Sequence, residues 1–160
     1  MRVALTFTVL ILGVSCSREP APLDMHQVLG RSEAELIERW GEPKQHVQAS
    51  EGRFGHLLWE DVLDTGVRIF VVIKGGEVSY VSYIFEEMDP FDEDEALRLI
   101  GAERPDAEPQ TMTTQGARRW RPYGPYEKLT LNPRTKFISV GSDPVRTKVG
   151  EAERPGVIQQ

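Results

Sequence analysis

A single cysteine in 160 residues, Cys16, leaves no intrachain disulfide and no zinc site built from thiolates. Long hydrophobic runs are also missing. The most apolar stretch, Val3 to Val14, is about half of the ~20 residues a membrane-crossing helix needs. Basic charge is short, with 19 Lys and Arg against 25 Asp and Glu and a formal charge of −6, which argues against a nucleic-acid partner. Arg118, Arg119 and Arg121 form the one basic cluster, and they fall in a strand-like segment, as on a solvated strand edge. No serine stands in a nucleophile elbow, and no glycine group forms a phosphate cradle. His26, His46 and His56 lack ligand spacing, so no metal is expected from them. The acidic run Glu86 to Glu95 lacks the glycine and closing Glu of a calcium loop, and its acids suit a helix N-terminus instead. These absences predict a chain that is not an enzyme and carries no cofactor, with an uncharacterised envelope enzyme as the last alternative.

What is present begins with an address. Met1 and Arg2 supply a positive start, the apolar run follows, and small residues lead to the cysteine. The segment Leu12-Gly13-Val14-Ser15-Cys16 resembles the bacterial lipobox, with Gly13 where that motif usually carries Leu, Val or Ile. The resemblance implies that 1–15 is a signal peptide and that Cys16 becomes the lipid-bearing first mature residue. Acyl chains contribute about 0.8 kcal/mol per buried methylene, so several would hold a soluble body firmly. Ser17 after the cysteine resembles the outer-membrane rather than the inner-membrane signal, which implies a protein facing the periplasm; a soluble periplasmic or secreted form is the alternative. Loss of 1–15 removes Arg2 and leaves 18 basic against 25 acidic residues, a charge of −7. Residues 16–23 read as a polar, proline-bearing tether.

The body carries a pattern that occurs twice. Ser32 caps a predicted helix, Glu35 completes a capping box, Ala34, Leu36, Ile37 and Trp40 line one face, and Gly41 with Pro43 ends it. Asp92 to Gly101 repeats that plan. After the first helix, Phe54–Glu60, Val67–Lys74 and Glu77–Glu87 read as strands, the last two joined by Gly75-Gly76, a favoured hairpin loop. After the second, Ala117–Tyr123, Tyr126–Asn132 and Lys136–Gly141 read likewise. The expected fold is therefore α+β, two helix-then-three-strand antiparallel meander units in tandem, over 24–87 and 88–142, with a tail at 143–160. Trp40, Trp59 and Trp120 are expected in the core.

The segment His26-Gln-Val-Leu-Gly30-Arg-Ser32-Glu-Ala-Glu-Leu36-Ile-Glu-Arg-Trp40-Gly41-Glu-Pro43 resembles the SmpA/OmlA family of small outer-membrane lipoproteins, as does Phe54-Gly55 followed by Trp59. That family supplies a subunit of the β-barrel assembly machine, and the resemblance covers about residues 24–86. It implies an envelope lipoprotein that works by contacting another envelope protein. A tandem pair of such units is similar to the β-lactamase inhibitor protein architecture, which implies, as an alternative, an inhibitor or ligand-binding module. Tyr80, Tyr83, Tyr123 and Tyr126 are the residues predicted for protein recognition, because aromatics are enriched at interface cores.

Overall fold

Alternating apolar residues in short runs, separated by glycine turns, build a sheet, and here they build one sheet. The computed structural model describes residues 21–50, 53–112 and 116–141. After a 3₁₀ turn at Met25–Gln27 come α1 (Glu33–Trp40), β1 (Gln45–Val47), β2 (Gly55–Trp59), β3 (Arg68–Lys74) and β4 (Glu77–Ile84). Then follow α2 (Glu93–Leu99), β5 (Gln110–Met112), β6 (Ala117–Trp120), β7 (Lys128–Asn132) and β8 (Phe137–Gly141). The strands form an eight-stranded antiparallel sheet in the order β1-β2-β3-β4-β8-β7-β6-β5.

This corrects the expected pair of three-strand meander units. Each half contributes four strands rather than three, and β4 pairs with β8, from Tyr80 opposite Gly141 to Ile84 opposite Phe137. That seam merges both halves into one sheet with one core. The two unpredicted strands, β1 and β5, are the sheet's edges. They are three residues each and largely exposed, so no buried face imposes an alternation on them.

The local signals at the helices have their expected physical form. The Ser32 hydroxyl accepts from the Glu35 amide while the Glu35 carboxylate accepts from the Ser32 amide at 2.8 Å, a complete capping box. Gly41 closes α1 at φ +79°, its amide donating to the Ile37 carbonyl at 2.8 Å. Asp92 caps α2 by accepting from the Asp94 and Glu95 amides, both at 3.0 Å.

Register determines the two faces of the sheet. One face runs Trp120, Leu129, Val140, Val81, Val71, Leu57 and His46 across seven strands. A parallel row runs Arg118, Leu131, Ile138, Tyr83, Ile69 and Trp59. The apolar members of these rows join Leu36 of α1, Ala96, Leu97 and Ile100 of α2, and Leu23, Met25 and Val28 in a single buried core. Both helices thus cover this face. Trp59 and Trp120 are buried, and the half-buried Trp40 meets Trp59 edge-on at 5.3 Å. Ser79 is the extra residue of a bulge, since Val72 pairs with Tyr80 and Ile73 with Val78. A strict alternation would put Val78 beside Tyr80. The bulge sends Val78 into the core and Tyr80 to the opposite face.

Candidate protein-interaction surface

The second face of the sheet carries no helix among the described residues. One of its rows crosses all eight strands: Gln45, Leu58, Phe70, Ser82, Ser139, Thr130, Arg119 and Gln110. Its apolar members, Leu58 and Phe70, lie on one side of the β4–β8 seam, and all four residues on the other side are polar. Beside Leu58 and Phe70 stand Val47, His56, Val72 and Tyr80 in one flanking row, and Arg68, Ile84 and Phe137 in the other. His56, Leu58, Phe70, Tyr80, Ile84 and Phe137 are all part-exposed, and the His56 and Phe70 rings lie 5.5 Å apart. Together they make an apolar, aromatic-bearing patch on a rigid sheet.

Charges ring that patch on the β3 side. The Arg68 guanidinium lies 3.0 Å from Glu86 and 3.8 Å from Glu60. Lys44 also reaches Glu60, and its hydrogen bond holds the Glu60 carboxyl below the usual carboxylate range. On the other side of the seam Lys128, Thr130, Asn132 and Ser139 are buried, while Arg119 is part-exposed and Gln110 exposed. Lys128 sits beneath the Tyr80 ring with its Nζ 5.9 Å from the centroid, and Asn132 accepts from the Arg134 and Thr135 amides at 3.0 and 3.2 Å.

The four tyrosines predicted for recognition part company. Tyr80 lies on the helix-free face. Tyr83, three residues on, has the opposite parity and is fully buried under the helices, where desolvation raises its hydroxyl pKa well above the ordinary value. Tyr123 and Tyr126 pair in the β6–β7 connection, with ring centroids 6.4 Å apart. Cys16 lies outside the described residues, as do the signal peptide, most of the tether and the tail. Leu58, Phe70, Ile84 and Phe137 went unpredicted because a face that alternates apolar and polar residues looks merely half-covered. Only the register shows that they adjoin.

The remaining polar clusters hold structure. Glu93, at the start of α2, takes Arg118 from β6 and, at 2.8 Å, Arg104. Those guanidiniums, Arg118 foremost, hold its carboxyl below the ordinary range against its partial burial. Asp94 also meets Arg104 at 2.8 Å, Glu95 meets Arg98, and Asp89 meets Lys136 at 3.1 Å. With Glu86 on Arg68, the acidic run is thus shared among five cations and one cap. Glu93→Gln should lower stability by about 1 kcal/mol at neutral pH, since a charge-assisted pair becomes a neutral one. A depressed carboxylate pKa stabilises the fold above the unfolded-state value and ceases to do so as pH falls through the folded one. Urea titrations should therefore show the gap between the wild type and Glu93→Gln closing below about pH 4. An unchanged gap at pH 3 would exclude Glu93 ionisation as its source.

No protein-family model, no curated protein and no solved structure matches this chain. Among the described residues, no three His, Cys, Asp or Glu side chains are placed to hold a metal ion, and no helix is long and apolar enough to cross a membrane.

Proposed function

We propose that this chain is a bacterial envelope lipoprotein, held through a lipid on Cys16 at the periplasmic side of the outer membrane, and that it works as a non-catalytic protein-interaction module. The observation that carries the reading is the part-exposed apolar patch of Leu58, Phe70, Tyr80, Ile84 and Phe137 on the helix-free face, ringed by Arg68, Glu60 and Glu86. An apolar, aromatic-bearing centre within a polar rim is the anatomy of a protein interface. A partner covering about 800 Å² of this face would bury it as a standard-size contact does. The lipobox-like segment supports the anchor, and the resemblance of 26–43 to the SmpA/OmlA family supports a partner among outer-membrane proteins or their assembly machinery.

Crosslinking in intact cells tests both parts. Phe70→Arg places an unpaired charge at the patch centre, so its crosslinked partner should be lost or weakened tenfold or more, corresponding to about 1.4 kcal/mol or above. Membrane attachment of that variant should not change. Cys16→Ala should release the chain from the membrane fraction and abolish lipid labelling. Recovery of the same partner in equal yield with Phe70→Arg would refute the surface, and a membrane-bound Cys16→Ala chain would refute the anchor.

A further inference from the structure

A concave feature lies off the sheet face, beside the 3₁₀ turn at Met25–Gln27. It is a cleft of about 440 Å³ between the 3₁₀ turn, the loop after α2 and the β6–β7 connection. Its architecture follows from Pro122-Tyr123-Gly124-Pro125-Tyr126. Tyr123 and Tyr126 exchange both backbone hydrogen bonds, at 3.0 and 2.9 Å, around Gly124 at φ +51° and Pro125. Direct pairing puts both rings on the same side, inclined by only 24°.

Each ring is then fixed from a distant part of the chain. The Tyr123 hydroxyl accepts from the Glu103 amide at 2.9 Å and donates to the Glu103 carbonyl at 3.1 Å, clamping the loop after α2. The Tyr126 hydroxyl meets His26 Nδ1 at 2.7 Å, which ties it to the N-terminal turn. Pro105, Pro122 and Pro125 complete the walls, and the buried Met25 contributes to the lining. The result is a preformed groove of tyrosine and proline, with little side-chain entropy left to lose on binding.

Its rim is acidic. Glu103 and Asp106 line the mouth, and neither carboxylate has a cationic partner among the described residues. Asp24, next to the His26 turn, is near enough that its charge helps raise the Tyr126 pKa, after desolvation. The one guanidinium in the lining, Arg104, is taken by Glu93 and Asp94. Aromatic faces and carboxylates both favour a cation.

We infer that this cleft binds an extended, proline-rich segment of a partner protein carrying arginine or lysine beside its prolines. Aromatic-lined grooves take polyproline II segments because that conformation is already ordered. Two residues of such a helix advance about 6 Å, close to the spacing of the two tyrosine rings. The cation of the segment would lie over the Glu103 and Asp106 rim.

The test is an NMR titration of the full chain with three synthetic peptides and one sugar. The peptides are Pro-Arg-Pro-Pro-Arg-Pro, its arginine-to-glutamate counterpart and its proline-to-glycine counterpart; the sugar is a neutral chitin tetramer. The arginine–proline peptide should shift the signals of Tyr123, Tyr126 and Gly101, and should bind at least about fivefold tighter than the glutamate peptide, a gap that narrows with salt. Glu103→Gln with Asp106→Asn, which removes no side-chain hydrogen bond among the described residues, should weaken it about three- to tenfold. Tyr126→Phe should retain binding and Tyr126→Ala should lose it. Equal binding of the glycine peptide, shifts centred on Leu58 and Phe70, binding of the sugar alone at the tyrosines, or no binding by any ligand would each overturn the inference. Because the cleft is separate from the sheet patch, Tyr126→Ala should leave the Phe70-dependent crosslink intact.

Discussion

Gly141→Ala should destabilise the fold by about 2–4 kcal/mol, far more than an alanine at any of the open glycine turns. Gly141 ends β8 at φ +118°, a conformation that L side chains rarely adopt. A Cβ there would stand 2.3 Å from the Ser79 carbonyl oxygen and 3.0 Å from the Tyr80 Cα. Both obstacles are backbone, and both belong to the bulged turn of β4, so no side chain can swing aside. Relief requires β8 to move off β4, and the β4–β8 ladder is the one that joins the two halves of the sheet. Gly75→Ala is the control. Gly75 has φ +65°, and an added methyl would meet nothing within 4 Å, so only its backbone conformation is penalised, by about 1 kcal/mol. Urea denaturation should give a much lower midpoint for Gly141→Ala than for Gly75→Ala, with similar slopes. Equal midpoints would mean that the seam tolerates the methyl.

The same seam explains how far the sequence could be read. Capping signals are local, so Ser32, Glu35, Gly41 and Asp92 announced their helix ends. The β3–β4 hairpin was legible for a similar reason, because Gly75-Gly76 connects two alternating runs directly. The joining of β4 to β8 has no local signature. It depends on Tyr80 meeting Gly141 and Ser82 meeting Ser139, contacts between residues about sixty apart that composition and period leave open. The bulge at Ser79 hid a second fact, because one inserted residue puts Val78 and Tyr80, which strict alternation would place together, on opposite faces.

Recognition residues were harder still. Choosing tyrosines because aromatics favour interfaces grouped four residues that the fold separates. Tyr83 is in the core, Tyr80 is on the helix-free face, and Tyr123 and Tyr126 share the cleft. Side-chain type does not carry parity, and parity decides exposure on a sheet. The Pro-Tyr-Gly-Pro-Tyr run did hold a usable signal, since a tight Gly-Pro turn between tyrosines brings their rings together. Its link to His26, one hundred residues away, could come only from the folded chain.

Trp59→Ala should cost about 3–5 kcal/mol, the range for removing a buried aromatic. Trp59 is 3% exposed and shares a core row with Ile69, Tyr83 and Ile138. Its indole Nε1 donates to the Gly41 carbonyl at 2.9 Å, just past the end of α1, and its ring meets Trp40 edge-on. One side chain therefore fills the core under β2 and fastens the C-terminus of α1 to the sheet. Trp59→Phe separates the two roles. It keeps most of the apolar volume but leaves the Gly41 carbonyl without that donor, for an expected loss of about 1–2 kcal/mol. Trp40→Ala should cost less than Trp59→Ala, because Trp40 is only half-buried at the edge of the core. The double variant should fall short of additivity by about 0.5–1.5 kcal/mol, the coupling of an edge-on aromatic pair. Additive losses would mean that the two tryptophans pack independently, and that α1 is held by its Ser32 cap and Leu36 rather than by the sheet at Trp59.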